Sequence, residues 1–313
     1  MFTNLFKYST CRIITSETRH LFVWRWLAMF SYLLENHSIY SLFKLHWLIL
    51  FSFFIYWYVK RIVVGTLYQV TNNQRLYFFI AIFLLIVLKA TPLDVIGTYY
   101  LFSIHVLQIS FICFIVIPLL ILSMPRNYLR QLIWNYRTRI VVTILSHPWL
   151  SLVTFNGLLT IYFIPNVYTF LQTNIVLHLL YQALLVITAI FMWVVIIQPV
   201  REFQVLNHLL RAAYIFFASL ILMPIGFYFV IVQKVHLPLY YEVEGVITPL
   251  LTIIYDQQLG GGILKLTQMF SYTFALLFIM LEWGRREQAK EGTVDEENIR
   301  YVRGVVIHLD DKK

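Results

Sequence analysis

The chain has 313 residues, 60% of them hydrophobic and only 12% charged, with a mean hydropathy of +0.75. Soluble domains of this size hold about 25% charged residues, so composition excludes a soluble enzyme, a nucleic-acid binder and a disordered scaffold. The formal charge of +9 fits basic loops on the cytoplasmic side of a membrane. Cys11 and Cys113, with no CxxC or CxxxC spacing, exclude a thioredoxin-like centre or a copper site of neighbouring thiols.

Crossing a hydrocarbon core takes roughly 20 apolar residues in a helix. On that template the chain is an all-α integral membrane protein, a seven-transmembrane-helix bundle. Residues 1–38 precede the first span and carry Lys7, Arg12, Arg19 and Arg25. Two readings fit them: an interfacial basic segment, or a true start at Met29; the second is preferred. The spans follow as Leu42–Val59, Leu76–Thr91, Tyr99–Ser123, Val141–Ile164, Ile175–Gln198, Ala212–Val232 and Ile263–Trp283. Lys89, near the end of the second, is expected to snorkel to the interface. Pro118, Pro148 and Pro224 fall inside spans, where neighbouring helices can satisfy the carbonyls they free. The membrane domain covers 39–287. A soluble tail, 288–313, follows, in which Asp295-Glu296-Glu297 predicts a short helix toward Val302.

Basic residues cluster in alternate loops: Lys60, Arg61 and Arg75 after the first span, Arg126, Arg130, Arg137 and Arg139 after the third, Arg201 and Arg211 after the fifth. The positive-inside rule puts those loops and the C-terminus in the cytoplasm and the N-terminus outside.

Polar groups inside a bilayer are costly and mark candidate sites. At about 1.5 Å per residue, His46 lies about 6 Å into the first span, His105 about 9 Å into the third, His178 about 5 Å into the fifth and Met269 about 9 Å into the seventh, all from the outside. Four odd-numbered spans would thus offer a metal ligand at one level. Gln108 at i+3 of His105 and Gln182 at i+4 of His178 share their faces and are candidates to fix the imidazole tautomers. Before the seventh span runs Asp256-Gln257-Gln258-Leu259-Gly260-Gly261-Gly262, which predicts a tight re-entry presenting Asp256, Gln257 and Gln258. Imidazole, thioether and carboxylate together suit copper better than calcium or magnesium. The alternative for each histidine is a hydrogen bond across helices, worth about 0.6–2 kcal/mol. Tyrosine and tryptophan near span ends fit an interfacial belt. No HExxH, GxSxG or P-loop is present, and Lys265 sits too near the outer edge for a retinal lysine.

His105 to Pro125, Ser146-His147-Pro148, Met192-Trp193 and above all the Asp256–Gly261 signature resemble the CtaG family, assembly factors of caa-type cytochrome c oxidases in bacteria. The resemblance runs from about Ile39 to Glu287 and likewise has seven spans. The chain departs from many members at Ile109 and Phe163, where they carry further histidines. The resemblance implies a multi-pass protein of the bacterial cell membrane that serves the respiratory chain without being an enzyme. Copper delivery to oxidase subunits at the outer face is the implied role. His105, His178, Asp256 and Met269 are then the expected ligands, with Gln108, Gln182, Gln257 and Gln258 behind them. Two rival readings are a metal-free membrane chaperone of oxidase subunits and a transporter of copper or a small solute.

Overall fold

The computed structural model describes residues 31–65, 68–200, 206–245, 251–291, 299–302 and 305–308. Met29 and the basic residues before it lie outside the described residues. Six described helices are long and apolar enough to cross a membrane: α1 (Ile39–Val63), α2 (Asn72–Lys89), α3 (Phe102–Ser123), α5 (Ile175–Ile197), α6 (His208–Ile231) and α7 (Ile253–Glu291). The bent pair Tyr136–Leu145 and Pro148–Tyr162, taken as α4, makes the seventh. The chain is the expected all-α membrane bundle.

The helix starts follow from local chemistry. Thr71 and Gln74 form a reciprocal capping box at the head of α2. Asn174 accepts the amides of Val176 and Leu177 at the head of α5. Thr91 caps a short helix, Pro92–Tyr99, whose proline takes the N-terminal position where its missing N–H costs nothing.

α3 is the centre of the bundle: 56% of its most apolar stretch is buried inside the protein, against 11% for α1. Its middle winds into a π-turn over Ile112–Val116, where the Ile117 amide reaches back to the Ile112 carbonyl. That turn releases the carbonyl of Cys113, and Pro118, lacking an N–H, releases that of Phe114. Both are taken up by neighbours: the Trp193 indole of α5 donates to Cys113 O across 2.8 Å, and the Ser271 hydroxyl of α7 donates to Phe114 O. Two lesions in one helix therefore become two fixed contacts to others.

Four expectations are corrected. The fourth span is not continuous: Pro148 forces His147 into an extended conformation (ψ 129°), and the arms meet at 66°. None of the first arm's side chains is buried. α7 begins at Ile253, ten residues earlier than expected, so Gly260–Gly262 form part of a helix and not a re-entry turn. Their value is close packing: a Cβ on Gly261 would stand 2.7 Å from Phe229 Cβ and 2.9 Å from the Gly226 carbonyl of α6. Lys89 does not snorkel but turns to Asp94, 3.0 Å away. Finally, Ile299–Val302 is not helical; it is β1, paired antiparallel with β2 (Val305–His308), and α7 runs on to Glu291 before it.

Candidate functional site

At the end of the bundle opposite the arginine-rich loops, α3, α4 and α5 bring His105 and His178 side by side, their ring planes tilted by 51°. The ring centroids are 5.8 Å apart, and His105 is 1% exposed. His105 Nε2 lies 2.7 Å from the Tyr162 hydroxyl at the end of α4, with the two rings stacked 6.0 Å apart. His178 Nε2 lies 2.8 Å from the Gln182 amide nitrogen, so that nitrogen of the imidazole accepts and the expected i,i+4 pair forms. The Nδ1 atoms of both histidines are buried and have no hydrogen-bond partner.

Tyrosines wall the pair. Tyr168, from the short helix Pro165–Thr173, packs edge-on against His105 at 5.4 Å. Its hydroxyl meets that of Tyr240 at 2.7 Å and accepts from Gln172, while Tyr240 donates to the Gly97 carbonyl. Burial first, and the adjacent Tyr240 second, hold the Tyr168 phenol well above its ordinary value, and burial likewise raises Tyr240. Both phenols stay neutral donors. Gly97 permits the approach: a Cβ there would meet the His105 amide nitrogen at 3.0 Å.

Beside the cage, Asp94 is 5% exposed and ion-paired with Lys44 and Lys89. Burial pushes its carboxyl up, but Lys89 and Lys44 outweigh burial and hold it below its ordinary value. Lys89 also lines a crevice of about 30 Å³ with Gln182 and Cys113, room for about one water.

The other expected ligands stand elsewhere. Asp256 spends its carboxylate on α3: it accepts from the Phe102 amide at 2.6 Å, the Ser103 amide at 3.2 Å and the Ser103 hydroxyl. It is a helix cap contributed from another helix, holding the element that carries His105. Gln257 accepts from the His236 amide and Gln258 donates to the Val232 carbonyl, so both fasten the end of α6. Gln108 is buried with neither amide atom bonded, and not paired with His105. Met269 is 57% exposed and His46 is exposed beside Tyr40 and Trp47. A common depth therefore unites two of the four spans: depth places a residue along a helix axis, whereas convergence also needs the right face. Among the described residues no group of three His, Cys, Asp or Glu converges.

Sequence reasoning missed Tyr162, Tyr168, Tyr240, Lys44 and Asp94. Asp94 alone left a signal, a carboxylate five residues after an intramembrane lysine across a Thr-Pro helix break. The tyrosines carried no signal: Tyr162 falls near the end of the expected fourth span, and Tyr168 and Tyr240 fall in loops.

The sequence model of the cytochrome c oxidase caa3 assembly factors matches residues 53–286, from within α1 to within α7. The chain belongs to this family. No curated protein and no solved structure compared with the chain matches it. As a caa3 assembly factor the chain has an oxidase as partner and a membrane as setting, and the histidine pair lies inside the matched region.

Proposed function

We propose that this caa3 assembly factor aids copper delivery to an oxidase subunit, holding the ion in transit between His105 and His178 and catalysing no reaction. The observation that carries the reading is the pair of buried, unpartnered Nδ1 atoms on rings 5.8 Å apart. With metal–imidazole bonds of roughly 2 Å, rings at this separation are within reach of one shared ion. Imidazole nitrogens suit copper, and a d10 Cu(I) ion accepts as few as two of them, a ligand number that favours release. Ligation through Nδ1 needs the tautomer with the proton on Nε2, so the Tyr162 hydroxyl would accept from His105 Nε2–H, and Gln182 would turn its amide so that the oxygen accepts from His178 Nε2–H. Asp256 serves by positioning α3. The basic loops at the opposite end support an outward histidine end, with the C-terminus in the cytoplasm and handover at the outer face.

Copper content of the purified full chain, loaded with Cu(I) under reducing conditions, tests the reading. About one copper per chain is expected in the wild type and little in His105→Ala and His178→Ala, with unfolding temperatures reported for each. Equal copper in all three would overturn the ligand assignment. Normal oxidase activity in cells carrying those variants would instead favour the metal-free chaperone.

A further inference from the structure

Two adjoining cavities occupy the arginine-rich end of the bundle, away from the histidines. The first is an apolar slot of about 370 Å³ between α3, α5 and α7, lined among others by Leu119, Trp193, Phe274 and Ala275. Such a volume is that of an ordinary ligand pocket. Its edge on α7 runs from Phe270 to Phe278, about 12 Å of helix, and Phe270, Phe274 and Phe278 are all exposed toward the surroundings. The second cavity, of about 420 Å³, shares Leu122, Ile197 and Phe278 with the slot, and is lined by Arg126, Arg130, Arg286 and Glu282. Arg211, which lines the slot, pairs with Glu282 at 3.2 Å, and Glu282 pairs with Arg286 at 2.6 Å, so an ion-paired chain joins the two spaces. Among the described lining residues, Arg126, Arg211 and Arg286 by themselves outnumber the one carboxylate, Glu282.

An apolar trough that opens sideways and ends in a basic mouth has the polarity of an anionic amphiphile. We infer that this site holds one anionic phospholipid, an acyl chain in the slot and the phosphodiester at Arg126 and Arg130. Guanidinium forks match phosphate oxygens, and basic pockets between membrane helices recruit anionic headgroups. Charge complementarity selects this occupant over a zwitterionic lipid, which the slot alone would accept equally. The bound chain would seal the seam between α3 and α7 beside Pro118, next to the Ser271 contact.

Native mass spectrometry of the full chain in mild detergent tests the site, using phosphatidylglycerol and phosphatidylcholine with identical acyl chains. The wild type is expected to retain phosphatidylglycerol about tenfold better. R126Q/R130Q, on a short helix with no buried side chain, should fold normally and bind the two lipids equally. Ala275→Trp, which fills the slot, should lose both. Glycerol phosphate, a headgroup without chains, should not compete. Equal retention of the two lipids by the wild type, an unchanged preference in R126Q/R130Q, or full competition by glycerol phosphate would each overturn the inference.

Discussion

Asp256 accepts the backbone amide of Phe102 at 2.6 Å across 154 positions of sequence, so the first turn of α3 is closed by α7. A helix start buried without such a partner leaves amide donors unsatisfied. Asp256→Ala is expected to destabilise the bundle by about 1–3 kcal/mol, and Asp256→Asn, which keeps one acceptor oxygen, by less. Unfolding in detergent followed by circular dichroism gives the comparison. Equal stability of the alanine variant and wild type would remove the capping role.

The π-turn and Pro118 of α3 make a second prediction. Trp193→Phe strips the donor from the Cys113 carbonyl and Ser271→Ala the donor from Phe114. Each should cost about 1–3 kcal/mol, because an acceptor is left buried and unmatched. The same thermal unfolding assay reads both, and a change below about 0.5 kcal/mol in either would show that the carbonyl finds another donor.

The three consecutive glycines of α7 are not equivalent. Gly261→Ala places a methyl group within 2.7 Å of Phe229 Cβ and 3.0 Å of the Val230 nitrogen, and backbone cannot yield as a flexible side chain would. Overpacking of about 1–3 kcal/mol is expected. A Cβ on Gly262 meets nothing within 4 Å, so Gly262→Ala should be neutral or stabilise by up to about 1 kcal/mol through helix propensity. Opposite signs in the unfolding temperatures of the two variants would establish the packing role, and matching signs would refute it.

The Asp94 carboxyl is held below its ordinary value by Lys89 and Lys44, against burial. Its contribution is therefore fully present above the ordinary carboxylate pKa of about 4 and fades as pH falls through the lower folded value. Wild type should lose stability more steeply than Asp94→Asn below about pH 4. Parallel unfolding-temperature profiles of the two proteins from neutral to acid pH would contradict this.

The membrane character and most of the helices were legible because apolar runs of sufficient length have one stable answer in lipid. The pairing of His178 with Gln182 was legible too, since i,i+4 neighbours share a stripe. Contacts between distant segments were not. The Asp-Gln-Gln-Leu-Gly-Gly-Gly stretch carries the composition of a turn, yet it is helical, and the glycine at 261 answers to the close approach of α6 and not to a turn. Asp256 read as a ligand for the same reason that it caps: a carboxylate at a helix end is chemically apt for both, and only the partner decides. Pro118 and Pro148 look alike in sequence. One sits in a helix whose freed carbonyl accepts a hydroxyl from α7, while at the other the chain turns out of the helix and the Ile144 carbonyl accepts from the His147 amide instead.

The dependence of α3 on α7 has a consequence for biogenesis. The ribosome delivers the central helix more than 150 positions before the segment that completes it, since Phe102 waits for Asp256 and Phe114 for Ser271. Until the last span leaves the translocon, the helix bearing His105 exposes raw amides and a bare carbonyl to lipid. A nascent chain truncated ahead of Ile253 should be recognised by membrane quality control as unfinished, however many of its spans have already inserted.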